Sequence, residues 1–118
     1  MYPRPSYREL NGKLEEARQA ASAKRVRFVD PDAIYTDLLE PDFLIDALAD
    51  ALPKILLEVS PKGYRGQRPP QRSYERPILE CELYAFAWDS RVFGCPMYLK
   101  FSIKGGYLWI VSLHRDRK

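Results

Sequence analysis

Residues 97–114 read MYLKFSIKGGYLWIVSLH, and the alternation within them points to a sheet rather than a helix. The first half puts Met97, Leu99, Phe101 and Ile103 on odd positions, with Tyr98, Lys100 and Ser102 between them. The second half puts Tyr107, Trp109, Val111 and Leu113 on odd positions, with Leu108, Ile110, Ser112 and His114 on even ones. Period-two patterning marks a strand with one buried face, so the stretch predicts a β-hairpin joined through Lys104-Gly105-Gly106. Residues directly opposite in a ladder share a face. A two-residue Gly105-Gly106 turn pairs Lys104 with Tyr107 and mixes odd with even. A three-residue loop, Lys104 to Gly106, pairs Ile103 with Tyr107 and keeps the rows apart. A one-residue slip would expose a whole apolar row, so the three-residue loop is expected. Tyr98 then stands opposite Ser112, and His114 follows one step along the same face, beside Lys100 and Ser102.

Upstream, Leu79, Cys81, Leu83, Ala85 and Ala87 alternate with Glu80, Glu82, Tyr84, Phe86 and Trp88. This predicts a strand of about ten residues, followed by a turn over Asp89–Pro96. With its odd positions inward, it adds Glu80, Glu82 and Tyr84 to the face that carries Tyr98. The N-terminal half reads differently. Leu10, Leu14, Ala17 and Ala21 form one helical stripe, predicting a helix from about Ser6 to Ala23 with Ser6 as N-cap and Glu9 as its capping-box partner. Val26 and Phe28 share one side of a short extended piece, Lys24–Val29. Asp30-Pro31 starts a helix running to about Leu39. Glu40-Pro41 restarts a second over Asp42 to about Leu52, ended or kinked by Pro53, with Lys54–Val59 as a further turn or two. Helices followed by strands predict an α+β fold, N-terminal helices packed on a C-terminal antiparallel sheet.

A chain of 118 residues with 46% hydrophobic content suits one domain, residues 1–118, burying roughly 65–70% of its unfolded surface. Within it, 61–77 is a basic loop and 78–114 the sheet. No apolar run reaches membrane-spanning length, so no membrane partner is expected. The N-terminal MYPRPSYREL lacks a signal peptide's apolar centre, and a cytoplasmic location is the default. Cys81 and Cys95 make neither a metal pattern nor a disulfide framework, and a single histidine argues against a His-based metal site. Neither metal nor cofactor is expected.

The net charge of +3 is unevenly spread. Residues 1–60 hold 8 Lys/Arg against 11 Asp/Glu, whereas residues 61–118 hold 11 against 5. The asymmetry points to an anionic partner for the C-terminal half. The stretch 60–77, SPKGYRGQRPPQRSYERP, concentrates it, with Lys62, Arg65, Arg68, Arg72 and Arg76 opposed only by Glu75 and interleaved with Tyr64 and Tyr74. Basic residues mixed with aromatics suit phosphate contacts and base stacking; a solvated linker has the same composition. The sheet face combines a phenol, an imidazole, an ammonium and carboxylates, a set capable of acid–base chemistry on a phosphodiester.

Tyr98-Leu99-Lys100, Leu108 and Ile110-Val111-Ser112-Leu113 before a basic residue resemble the C-terminal hairpin of MqsR-type toxins, bacterial mRNA interferases with a RelE-like fold. The close likeness covers about twenty residues, and the order of elements is similar. The resemblance implies that Tyr98 matches a tyrosine implicated in catalysis, and that His114 stands where the family has a basic lysine; related RelE-fold toxins use histidine there. The family's strand glutamine has no counterpart, Cys81 or Glu82 falling near it, and its loop lysine corresponds to Lys62 or Arg65. It further implies a metal-independent endoribonuclease that cleaves mRNA through 2′-OH attack, with a cognate antitoxin protein as partner. On that reading His114, Tyr98 and Glu82 are the catalytic candidates. The candidate RNA-binding residues are Lys62, Arg65, Arg68, Arg72, Lys100, Arg115 and Arg117. The alternative is a non-catalytic RNA-binding or protein-interaction module using the basic loop and sheet face.

Overall fold

A computed structural model describes residues 3–117; Met1 and Tyr2, on which the N-terminal reading partly falls, lie outside them. Helix α1 spans Tyr7–Ser22, strand β1 Val26–Phe28, helix α2 Pro31–Leu38 and helix α3 Leu48–Leu57. Strands β2 (Tyr84–Ser90), β3 (Cys95–Lys104) and β4 (Tyr107–Arg115) follow, giving one four-stranded sheet in the order β1-β4-β3-β2. The fold is α+β with the helices N-terminal, as the patterning predicts. The three C-terminal strands are antiparallel, and β1 adds itself to β4 in parallel.

Local chemistry sets the helix ends. Ser6 Oγ accepts from the Glu9 N–H at 3.0 Å, and Asp30 accepts from the Ala33 N–H at 3.2 Å with Pro31 in the first turn. Half of the expected capping box is present, because the Glu9 carboxylate turns to Arg4 instead. The helix expected from Asp42 does not form there. Asp42 adopts a left-handed φ of 57°, and the Phe43 N–H returns to Leu38 O at 3.0 Å, so this residue stops α2 rather than starting a new helix. A 3₁₀ turn over Ile45–Ala47 leads into α3, which runs through Pro53. The carbonyl that Pro53 leaves without a donor is that of Ala49, an exposed residue.

The helices cover one face of the sheet. Leu10, Leu14, Ala17 and Ala21 of α1 pack with Leu52, Ile55 and Leu56 of α3 over Phe86, Leu99, Phe101, Leu108 and Ile110, all buried. Each large apolar side chain removed from water stabilises the fold by roughly 1.5–3 kcal/mol.

Two expectations about register are corrected. The hairpin closes through two residues: Gly105 and Gly106, at φ 60° and 76°, pair Lys104 with Tyr107. Two successive positive φ values are what a type I′ turn needs, and its twist matches the flanking strands. Ile103 then faces Leu108 and Phe101 faces Ile110, which puts Leu108 and Ile110 inward. Between Lys100 and Phe101 the register shifts, with Val111 as the extra residue of a β-bulge. Beyond it Leu99 meets Leu113 and Tyr98 meets His114. The bulge, not the loop, keeps the apolar rows together.

The second correction concerns β2. It covers seven residues rather than ten, begins at Tyr84, and turns its even positions inward. Tyr84 and Phe86 pair with Phe101 and Leu99 on the helix side, while Ala85 and Ala87 pair with Lys100 and Tyr98 on the outer side. The turn is also shorter than expected, with strand structure to Ser90 and again from Cys95. Glu58 clamps it from the end of α3. Its carboxylate accepts from Ser90 Oγ at 2.6 Å, Trp88 Nε1 at 3.0 Å, and the Arg91 and Val92 N–H groups at 2.8 and 3.1 Å.

Candidate functional site

The outer face of the sheet, away from the helices, carries Tyr98 and Lys100 from β3 and Ser112 and His114 from β4. Because they are paired across the ladder, the rings of Tyr98 and His114 stack, with centroids 4.9 Å apart and planes 16° from parallel. His114 Nδ1 lies 2.8 Å from the Arg115 carbonyl oxygen. A carbonyl only accepts, so the neutral ring carries its proton on Nδ1 and leaves the Nε2 lone pair free.

The basic loop supplies a wall. The Arg65 N–H donates to Ala85 O at 2.7 Å, and the Leu83 N–H donates to Gln71 O at 2.8 Å. The loop thus runs along the otherwise open edge of β2 as an interrupted extra strand, which covers that edge. Gly63 permits the close approach, since a Cβ there would overlap the Ala87 carbonyl oxygen. Between loop and sheet lies a polar cavity of about 190 Å³ lined by Arg65, Gln67, Gln71, Leu83, Tyr98 and Lys100, among others. Arg65 Nη2 reaches the Asp116 carboxylate at 3.1 Å, and the Asp116 side chain is 7% exposed. Burial pushes the Tyr98 phenol above its ordinary value; Arg65 pulls the other way and Asp116 adds to the rise. Tyr98 therefore stays protonated through the neutral range and acts as a hydrogen-bond donor.

The remaining sequence candidates are dispersed. Glu82 lies in the segment before β2, where Arg4 grips it through two hydrogen bonds of 2.9 Å, and Tyr84 Oη donates to it at 3.1 Å. That ion pair ties it to the N-terminal segment rather than to His114. Arg4 also lowers the Glu82 carboxyl below its ordinary range, against the effect of burial, with Tyr84 helping. Arg115 pairs with Met97, so the ladder assigns it to the face opposite His114. Arg117 reaches Glu40 at 3.3 Å and Asp37 at 3.9 Å, beside α2. Arg68 lies over the Tyr64 ring and donates to Pro5 O at 2.8 Å, and Arg72 faces Glu80 at 3.7 Å. Lys62 is exposed on a 3₁₀ turn, Pro61–Gly63. Of the seven basic candidates, Arg65 and Lys100 line the cavity.

Gln67 and Gln71 were not among the sequence candidates. A polar, unpatterned loop gives no periodicity from which to tell which side chains turn inward. A larger concavity of about 520 Å³ opens near Pro3, Pro5, Tyr7, Leu10 and Arg68. Its walls are mostly apolar and it contains none of the acid–base groups, so the smaller cavity is the chemical candidate. Among the described residues no three His, Cys, Asp or Glu side chains converge as metal ligands would, and both cysteines are free thiols. No helix among the described residues is long and apolar enough to cross a membrane. No protein-family model matches the chain, and no curated protein matches it.

Proposed function

We propose that the protein is a metal-independent endoribonuclease acting on mRNA, as the resemblance to MqsR-type toxins implies. The observation that carries this reading is the Tyr98–His114 stack, open on one side of the sheet and adjoining a cavity walled by Arg65 and Lys100. Cleavage by an internal nucleophile needs a base, donors for the phosphoryl oxygens and a proton for the departing oxygen. His114 Nε2 takes the proton from a ribose 2′-OH. As the 2′ oxygen bonds to phosphorus the P–O5′ bond breaks, and the 5′ oxygen takes a proton from the imidazolium or from water. The products are a 2′,3′-cyclic phosphate and a 5′-OH. Lys100 and Arg65 hold the phosphoryl oxygens, and the protonated Tyr98 phenol keeps the imidazole in place and donates to the same group. Glu82 has no part in this scheme. Gln67 and Gln71 bring amides to the site from the loop, where the toxin family uses a strand glutamine. The reading also implies a cognate antitoxin and an intracellular substrate.

Purified protein is expected to cleave single-stranded RNA in EDTA, with a 2′-deoxy substitution at the scissile position blocking the reaction. His114→Ala lowers the rate by about 10²–10⁴-fold, and Tyr98→Phe largely abolishes cleavage. RNA left intact at concentrations where it demonstrably binds would sink the proposal and favour the non-catalytic module. Expressed alone, the wild type should arrest bacterial growth, and His114→Ala should relieve the arrest.

A further inference from the structure

The outer face continues beyond the Tyr98–His114 stack. On β4 the outward residues before the bulge are Tyr107 and Trp109, because Leu108 and Ile110 point inward. On β1 the outward residue is Arg27, paired with Trp109, and its guanidinium sits 4.7 Å from the centre of the Tyr107 ring. Trp109 keeps part of its surface in solvent although a wholly apolar interior is available one position away on either side. The stack explains none of these three residues.

Charge favours an anionic occupant. Among the outward strand residues, Arg27, Lys100 and Lys104 face a single carboxylate, Asp89, on the far strand β2. With Val111 bulged out, Trp109 and His114 stand opposite Ser102 and Tyr98, four positions apart, about 13 Å along a strand, room for a few nucleotides of extended single strand. Indole faces stack on any base, and a guanidinium beside them pairs with phosphate.

We infer that Trp109, with Arg27 held over Tyr107, is a second subsite for single-stranded RNA, stacking a base and contacting a phosphate a few nucleotides from the Tyr98–His114 site. The inference rests on the ribonuclease reading for the polarity of the lane, but its test is binding, not cleavage. The probes are fluorescein-labelled 2′-O-methyl oligoribonucleotides of two and eight nucleotides, which cannot undergo 2′-OH attack. Trp109→Ala is expected to weaken octamer binding about tenfold and leave dinucleotide binding at the wild-type level. Trp109→Phe should retain most of the affinity. Arg27→Ala should weaken octamer binding and flatten its salt dependence. Circular dichroism confirms that each variant is folded. Octamer affinity unchanged in folded Trp109→Ala overturns the subsite, as does an equal loss for both lengths. A wild type that shows Trp109-dependent octamer binding yet cleaves no RNA supports the subsite and overturns the nuclease.

Discussion

Glu58 shows how much one side chain can organise. Burial alone would raise its carboxyl, but hydrogen bonds from Ser90 and Trp88 and from the Val92 and Arg91 N–H groups outweigh that and lower it from its ordinary 4.5. A carboxylate held this way contributes stability that is complete above the unfolded value and disappears as pH falls through the lowered folded value. Glu58→Gln leaves amide hydrogens facing backbone N–H groups and should cost about 1.5–3 kcal/mol near neutral pH. In denaturant titrations the gap between wild type and variant should narrow progressively below pH 4.5; a gap independent of pH would contradict the clamp. Tyr98 shows the opposite shift with a different consequence: its raised pKa keeps the ring stacked on His114 a neutral phenol, and so a hydrogen-bond donor.

At the scale of elements, the bulge at Val111 decides which face His114 occupies. Were Val111 paired with Lys100, the Gly105-Gly106 register would continue unbroken and turn Leu113 outward and His114 into the core. Exposing the leucine costs about 2–3 kcal/mol, and burying an imidazole adds to it. Deleting Val111, the unpaired residue, leaves Leu113 opposite Leu99 and His114 opposite Tyr98, so the deletion variant should stay folded and keep its RNA binding; a deletion variant that unfolds would refute the bulge. Much of this architecture was legible beforehand. The α1 stripe, the caps Ser6 and Asp30, the extended piece at Val26 and Phe28, and the hairpin itself follow from period and capping chemistry. The shared face of Tyr98 and His114 was also legible, though through the wrong device. The loop length was misjudged because Tyr107 and Trp109 were counted as core, when Leu108 and Ile110 carry the purely aliphatic side chains. In β2 both rows are apolar, so period gives no direction. Volume does: Tyr84 and Phe86 fill the space under the helices, and the small Ala85 and Ala87 sit on the loop side. Partners such as Arg4 for Glu82 and Asp116 for Arg65 depend on contacts 78 and 51 positions apart, which no local pattern encodes.

At the scale of the whole molecule, Arg4 links the segment before α1 to the segment before β2 by bridging Glu9 and Glu82. Arg68 joins the basic loop to the same N-terminal segment through Pro5 O. The cavity wall is thus secured at a distance from the cavity. Arg4→Ala leaves two carboxylates facing each other, so it should lower the melting temperature at low ionic strength and speed hydrogen exchange at the Arg65 amide. The difference should fade toward about 1 M salt, where screening is nearly complete; a salt-independent loss would argue against an electrostatic tie. The sheet order has a further consequence for how the protein is made. β4 follows every other strand in the chain, yet it lies between β1 and β3. A nascent chain still lacking those residues has no partner for β1 and no His114 beside Tyr98. Domains fold as units as synthesis proceeds, so the sheet closes only once β4 has left the ribosome, and the pairing of Tyr98 with His114 is among the last contacts a newly made chain can form.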